Sequence, residues 1–357
     1  MKIVQVCPRY YPDIGGVETH VQEISERLAK RGFEVVVLCT DPTGKRRNTE
    51  MINGVSVRRF RSFAPNNAFF FAPQIYFHLK RTNCDLIHAH SYHALPAFLA
   101  AMAKDDRRFV FTPHYHGRGH TPLRNFLLRP YRFLGSKIFE SADKVIFVSL
   151  YERRLAERDF DIPDNKINRI INGIILEEFE EGCRDRDAKK ILYIGRLEEY
   201  KGVQHIIEAL PSLRDYRLVI VGQGPYEDEL KKLAEDLGVG DRVEWLKNLS
   251  REDLLDQYRT AGIFVMLSSF EAFGITVAEA LASGTPCIVA TGSALEEFVD
   301  GKACVGVKRP INTKELAEKI EELSGKTVSG SDLLREKIKS WDEVVSQHIR
   351  LYEKLSK

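Results

Sequence analysis

Residues 268–286 read SSFEAFGITVAEALASGTP. The stretch continues an apolar run, GIFVMLS, and enters a second one, Val277, Ala278, Ala280 and Leu281, at helical spacing. It is therefore the end of a strand, a loop and a helix start, and it carries two glutamates, Glu271 and Glu279. At about 100° per residue, one continuous helix would leave these carboxylates nearly a quarter-turn apart and two turns along the axis. They would not meet over one bond. Gly274 and the apolar run place the helix start near Thr276, with Glu271 on the loop before it. Thr276-x-x-Glu279 then reads as a capping box, with Thr276 at the N-cap and Glu279 at the third helical position. An acid/base pair, an ordinary cap and a ligand cradle all remain open here.

Outward from this stretch, short β-branched runs alternate with amphipathic helical segments along the whole chain. KIVQVCP, EVVVLCT, VSVRRF, DLIHAH, RFVFTP and KVIFVS read as strands. Residues 17–31 form a helix whose Val17, Val21, Ile24 and Leu28 make one apolar stripe. The pattern restarts with KILYIGR, RLVIVGQG, RVEWL, GIFVMLS and PCIVAT, between helices near 202–210, 225–237, 250–259 and 276–283. Continuous apolar strands with helical crossovers mean parallel sheets covered on both faces, so two doubly wound α/β domains are expected. The acidic LEEFEEGCRDRDAKK after INRIINGI breaks the apolar pattern and marks the boundary. Domains of 1–175 and 176–339 follow, with an amphipathic helix at 340–357.

Length agrees, because 357 residues exceed one ordinary core. An apolar content of 43% and a net charge of +2 exclude a disordered chain and a polyanion-seeking one, so no nucleic-acid partner is expected. No apolar run approaches the roughly 18 residues of a membrane span, and MKIVQVCPRYYP reads as a strand rather than a signal peptide. A cytoplasmic protein is expected. Its six cysteines are scattered without a C-x-x-C, which points to reduced, buried thiols.

In open α/β sheets ligands bind beyond the carboxyl ends of the strands, so the loops there carry the candidate chemistry. After the first strand, Gly15 and Gly16 enter a helix, where bare backbone can approach phosphate oxygens or simply turn. GRLEEYKGV places Arg196 and Lys201 in one loop. A guanidinium fork with a mobile ammonium suits a diphosphate, and solvated surface charge is the plain alternative. VGQGPYEDEL offers Gly222 and Gly224, part of a dinucleotide fingerprint, with Pro225 at a first helical position. Histidines gather at His88, His90, His93, His114, His116 and His120. His88 and His90 share one strand face, but no acidic or Cys ligand completes a metal spacing, and no metal is expected. His114, at the end of RFVFTP, is a catalytic or substrate-orienting candidate. Between 118 and 137, Arg118, Arg124, Arg129, Arg132 and Lys137 alternate with Phe126, Tyr131 and Phe133. Such a face fits anionic membrane lipid or a lipid-linked acceptor, and equally a core-facing helix with snorkelling arginines.

Together GGVETH, TPH, INGI, GRLEEYKG, VGQGP, SSFEAFGITVAEALASGTP and the terminal helix resemble the family 4 retaining glycosyltransferases over nearly the whole chain. The glutamate pair with seven residues between its members, together with the Arg/Lys loop upstream, is the specific element. In ATGSALEEFVDG, Ser293 stands where the family commonly has a second glycine. The resemblance implies the GT-B fold, two Rossmann-like doubly wound domains facing each other across a cleft, with acceptor bound by the first and nucleotide-sugar donor by the second. It implies that the terminal helix crosses back onto the first domain. By position, Arg196 and Lys201 would bind the diphosphate, and Glu279 the ribose hydroxyls. Glu271 with the backbone of Phe273, Gly274 and Ile275 would hold the donor sugar and phosphate. His114 would contact the sugar near its reacting carbon, while Gly15 and Gly16 would approach the phosphate from the first domain.

The expected reaction is hexosyl transfer from GDP-mannose or a UDP-hexose to a lipid-linked or oligosaccharide acceptor, in glycan biosynthesis. Helix spacing speaks against a two-carboxylate scheme, and the resemblance implies retention by a front-face step, with no cofactor and no metal. A peripheral contact with the inner membrane face through 118–137 is then expected. A GT-B phosphorylase would need a pyridoxal-phosphate lysine and a longer chain. An epimerase lacks support from the glutamate and Arg/Lys combination, and a non-catalytic nucleotide-sugar sensor or scaffold is opposed by intact Glu271, His114, Arg196 and Lys201.

Overall fold

The structure, a computed structural model, describes residues 1–65, 69–117, 122–179, 185–326 and 337–356, with only the backbone for 122–130. The chain divides into two compact units, Met1–Asn172 with Trp341–Lys357, and Gly173–Ser340.

The first unit is built on an eight-stranded sheet. Its strands are β1 (Lys2–Val6), β2 (Glu34–Asp41), β3 (Thr49–Ile52), β4 (Val55–Arg61), β5 (Leu86–His90), β6 (Arg108–Thr112), β7 (Lys144–Phe147) and β8 (Ile167–Arg169), in the order β3-β4-β2-β1-β5-β6-β7-β8. Every pair is parallel except β3 with β4, which Asn53 and Gly54, both at positive φ, join as a two-residue hairpin. Helices α1 (Gly16–Lys30), α2 (Gln74–Arg81), α3 (Leu95–Ala103), α4 (Pro122–Ser141) and α5 (Leu150–Asp159) make the crossovers. The reason the strands read as unbroken apolar runs is visible in β5, all five of whose residues are buried. In α1, Val21, Ile24 and Leu28 are fully buried, each contributing about 1.5–3 kcal/mol of burial.

The terminal helix Trp341–Ser356 packs on α1 within this unit. It buries Trp341, Val344, Val345, His348, Leu351 and Tyr352, a one-face spacing, and Asp342 accepts from Arg31 at 2.8 Å.

The second unit holds a short strand, β9 (Gly173–Ile174), and then a six-stranded parallel sheet. The sheet strands are β10 (Asp187–Ile194), β11 (Arg217–Val221), β12 (Val243–Leu246), β13 (Ala261–Met266), β14 (Cys287–Ala290) and β15 (Cys304–Val307), in the order β12-β11-β10-β13-β14-β15. Its helices are α6 (Val203–Ala209), α7 (Glu227–Asp236), α8 (Arg251–Thr260), α9 (Ile275–Ala282) and α10 (Thr313–Leu323). From β4 to β7, and from β12 to β15, both sheets follow the doubly wound order in which the strand sequence reverses beside the first strand. The reversal lies between β1 and β5 in one unit and between β10 and β13 in the other. Cys7, Cys39, Cys84, Cys287 and Cys304 are free and buried. Cys183 lies outside the described residues.

Candidate functional site

Arg196 and Lys201 lie on the loop after β10, and Glu271 on the loop after β13, the two strands that flank the reversal. The fold thereby brings residues seventy positions apart into contact: Lys201 Nζ donates to Glu271 Oε1 at 2.5 Å. The Lys201 side chain is only 14% exposed, so the plain alternative of a solvated surface charge fails for it. Burial works against its charge, yet the Glu271 carboxylate outweighs burial and lifts the Lys201 pKa above the ordinary lysine value. Lys201 is therefore a fixed cation at working pH. Arg196 is 56% exposed and paired with Glu198 at 2.9 Å, so its guanidinium is the mobile member. The two loops are fastened by Ser269 N–H to the Tyr200 carbonyl at 2.8 Å, and the Tyr193 hydroxyl donates to the Arg196 carbonyl at 2.9 Å.

Gly222 and Gly224 press the loop after β11 against the loop after β10. Leu197 N–H donates to Gln223 O and Tyr226 N–H to Leu197 O, both at 3.1 Å. The two glycines thus support the Arg196 loop through backbone contact. Pro225 is not a first helical residue: α7 begins at Glu227, with Tyr226 at the N-cap.

The capping box is not formed. Helix α9 begins at Ile275, and its N-cap is Gly274 at φ 109° with no side-chain cap bond. That positive φ reserves the position for glycine, and a Cβ there would also lie 2.5 Å from Leu295 Cδ2. Thr276 reaches Met266 Sδ at 3.8 Å, and Glu279 is occupied otherwise. Its Oε1 accepts from Arg251 at 2.8 Å and its Oε2 from the Tyr258 hydroxyl at 2.8 Å. Arg251 also donates to Glu178. Sequence reasoning missed Arg251, Tyr258 and Glu178, which sit on α8 and a 3-10 turn and carry no spacing signal. Glu271 stays on the loop, where its carbonyl accepts from Ala294 N–H at 3.3 Å. Phe273 is buried with its ring 5.3 Å from that of Phe298. Ser293 takes an extended φ of −140° and caps the turn Ala294–Phe298, so no glycine is required there.

Glu279→Gln should lower the stability of the second unit by about 1–3 kcal/mol, because Arg251 loses its buried counter-charge. It should also weaken nucleotide affinity at least about tenfold if the carboxylate meets the ribose. Melting temperature and donor affinity, measured together against Tyr258→Phe, check this. Unchanged affinity in Glu279→Gln would sink the ribose assignment.

In the first unit, Gly15 is the N-cap and Gly16 the first residue of α1. A Cβ on Gly16 would meet nothing within 4 Å, so that face of the helix start is open backbone, while one on Gly15 would meet the Glu18 carboxylate. His114 follows β6 at φ 47° and is 8% exposed. Burial pushes its imidazole down to a pKa of about 3, so the ring is neutral. His88 and His90 do share a face, with ring centroids 4.1 Å apart, but His88 is tied on both nitrogens, to Tyr352 at 2.7 Å and Thr112 at 2.8 Å. Of the 118–137 face, Arg118 and His120 lie outside the described residues, as do the side chains of Arg124, Phe126 and Arg129. In the remainder, Tyr131 is buried and donates to the Tyr92 carbonyl, Arg132 reaches Asp159, and Phe133 is exposed with Lys137 over its ring. No described helix is long and apolar enough to cross a membrane.

The doubly wound order of both units, with Lys201 paired to Glu271 at one reversal point, agrees with the GT-B glycosyltransferases to which the chain is similar. The family described as Glycosyltransferase Family 4 matches residues 14–178, and that described as Glycosyl transferases group 1 matches residues 175–339. An uncharacterised glycosyltransferase of Methanocaldococcus jannaschii is 31% identical over 84% of this chain and 83% of its own. The GDP-mannose:cellobiosyl-diphosphopolyprenol alpha-mannosyltransferase of Komagataeibacter xylinus is 22% identical over 99% and 93%. Among solved structures, Anabaena HepE in complex with UDP-glucose superposes with a TM-score of 0.79 at 18% identity, covering 99% of this chain and all of that one. The chain belongs to glycosyltransferase family 4, and it is a hexosyltransferase.

Proposed function

We propose that the protein moves a hexose from GDP-mannose or a UDP-hexose to a lipid-linked or oligosaccharide acceptor with retention of configuration. The observation that carries this reading is the Lys201–Glu271 pair at the reversal point of the second sheet, with Arg196 on the same loop. Departure of a nucleoside diphosphate needs positive charge where negative charge develops. Lys201, Arg196 and the amide end of α9 at Ile275 supply it. No general acid is then required at the leaving group, and in this reading no metal either. Glu271 would position Lys201 and the sugar, Glu279 the ribose, and the backbone of Phe273 and Gly274 the phosphate. Gly222 and Gly224 would act by holding the Arg196 loop. In the first unit His114 would lie beside the reacting sugar, Gly15 and Gly16 beside the phosphate, and the unit would bind the acceptor.

The acceptor proton would pass to a donor phosphate oxygen on the face from which the diphosphate leaves. Glu271, already tied to Lys201, is poorly placed to act as a nucleophile. A relative named for GDP-mannose and a polyprenol diphosphate acceptor supports the mannosyl, lipid-linked reading, and a structural neighbour bound to UDP-glucose supports the UDP-hexose one. The exposed Phe133 with Lys137 above it supports an acceptor carrying a lipid. A thermal-shift screen with GDP, UDP and ADP sugars tests the donor. A GDP or UDP sugar should raise the melting temperature of the wild type. Stabilisation by ADP sugars alone would contradict the proposal.

A further inference from the structure

Five histidines of the first unit meet in its interior. His20 on α1, His88 and His90 on β5, His114 after β6 and His348 on the terminal helix have neighbouring ring centroids 4.1–6.1 Å apart. Four of their nitrogens, His20 Nε2, His90 Nδ1, His114 Nε2 and His348 Nε2, are buried and have no hydrogen-bond partner among the described residues. One nitrogen from each of His20, His90 and His114 lies within 4.8 Å of those of the other two, a group that His348 does not join.

The protons on two of the rings are placed by their neighbours. His20 Nδ1 lies 2.7 Å from Asn172 Oδ1, and His90 Nε2 lies 2.7 Å from Gln5 Oε1. An amide oxygen only accepts, so each ring donates its proton there and keeps its lone pair on the unpartnered nitrogen. Side-chain carbonyls orient metal-binding histidines in the same way. Unmet polar atoms at this depth are costly, and a single cation bound between them would offset that cost.

We propose that His20, His90 and His114 form a three-histidine site for a divalent transition-metal ion of borderline softness, with Zn²⁺ the reference ion. Neutral imidazoles suit such ions, and three of them leave a fourth position for water or a small anion. Zn–N bonds of about 2.0–2.1 Å ask the rings to draw inward from their 4.8 Å spread by less than about 1 Å each. The ligands come from a helix, a strand and a loop, so no spacing in the sequence announces them. The ion is not a cofactor of transfer. Binding would hold the His114 ring, and on the reading that this ring lies beside the donor sugar, bound Zn²⁺ inhibits.

The test uses the full chain without a histidine tag, stripped by chelator and titrated with Zn²⁺ and with Co²⁺. One ion per chain is expected, with a Co²⁺ absorption spectrum of low coordination number. His20→Asn and His90→Asn should each weaken Zn²⁺ binding at least about 100-fold, whereas His88→Asn should change it by no more than several-fold. Where His20→Asn fails to fold, Asn172→Ala keeps all three ligands and should weaken binding about 10–100-fold by freeing the His20 ring. No stoichiometric uptake by the folded wild type, or uptake indifferent to His20, His90 and Asn172, overturns the site. Zn²⁺ bound at these residues with undiminished transfer overturns the inhibition and the placement of His114 at the sugar, and leaves the metal site standing.

Discussion

Lys201→Ala should cut turnover by about 10²–10³-fold, because it removes a preorganised cation from the place where the diphosphate gathers charge. The loss should fall on kcat and kcat/KM alike, since the missing interaction grows as the bond breaks. Stability should also respond. Lys201 is largely buried and paired, so its removal leaves Glu271 Oε1 without its donor. A cost of about 1–3 kcal/mol is expected, a loss of several degrees in melting temperature. Lys201→Ala with Glu271→Gln should recover part of the melting temperature and none of the rate. A folded single variant that turns over within several-fold of the wild type would remove Lys201 from the chemistry.

Gly222→Ala should destabilise the second unit by about 3 kcal/mol or more, among the largest effects of a single methyl group. Gly222 has φ 151°, and a Cβ there would stand 1.9 Å from the Gly195 carbonyl oxygen. That oxygen belongs to backbone, so no side-chain rotation relieves the clash. The Gly222 segment must retreat, which breaks the Leu197–Gln223 and Tyr226–Leu197 hydrogen bonds and frees the loop bearing Arg196 and Lys201. A melting temperature lower by about 6 °C or more is expected in a unit of this size, with donor affinity falling in parallel. Gly16→Ala is the contrast, since a Cβ there meets nothing within 4 Å and the unit should melt near the wild-type temperature. Equal melting of Gly222→Ala and wild type would show that the loops do not depend on this contact.

The alternation of apolar strands and helices was legible because every strand of a parallel sheet covered on both faces must be apolar throughout. Strand order was not, because it depends on which runs pair. With that order, Lys201 and Glu271 turn from two loop charges into neighbours across the reversal point. The capping box misled for a related reason. Thr276 and Glu279 satisfy a local rule, but Leu295 occupies the space beside Gly274, and Arg251 and Tyr258 draw Glu279 away from the helix start. Local signals lost to partners 21 and 28 residues away. The histidines are the sharper case. His88 and His90 announce themselves as a pair, yet the group that shares unpartnered nitrogens includes His20 and omits His88, a choice made by Thr112, Tyr352, Gln5 and Asn172. Ser293 shows the reverse: a departure from the family pattern proves harmless because its backbone is extended.

The most direct measurement is the release of nucleoside diphosphate and the transfer of labelled hexose, followed in one reaction with chelator-treated protein and an acceptor extract. Diphosphate and glycosylated acceptor should appear in equal amounts, undiminished by the chelator, and both should fall together by about 10²–10³-fold in Lys201→Ala. Donor binding without release, or release that stops when metal is removed, would contradict a leaving group stabilised by Arg196 and Lys201.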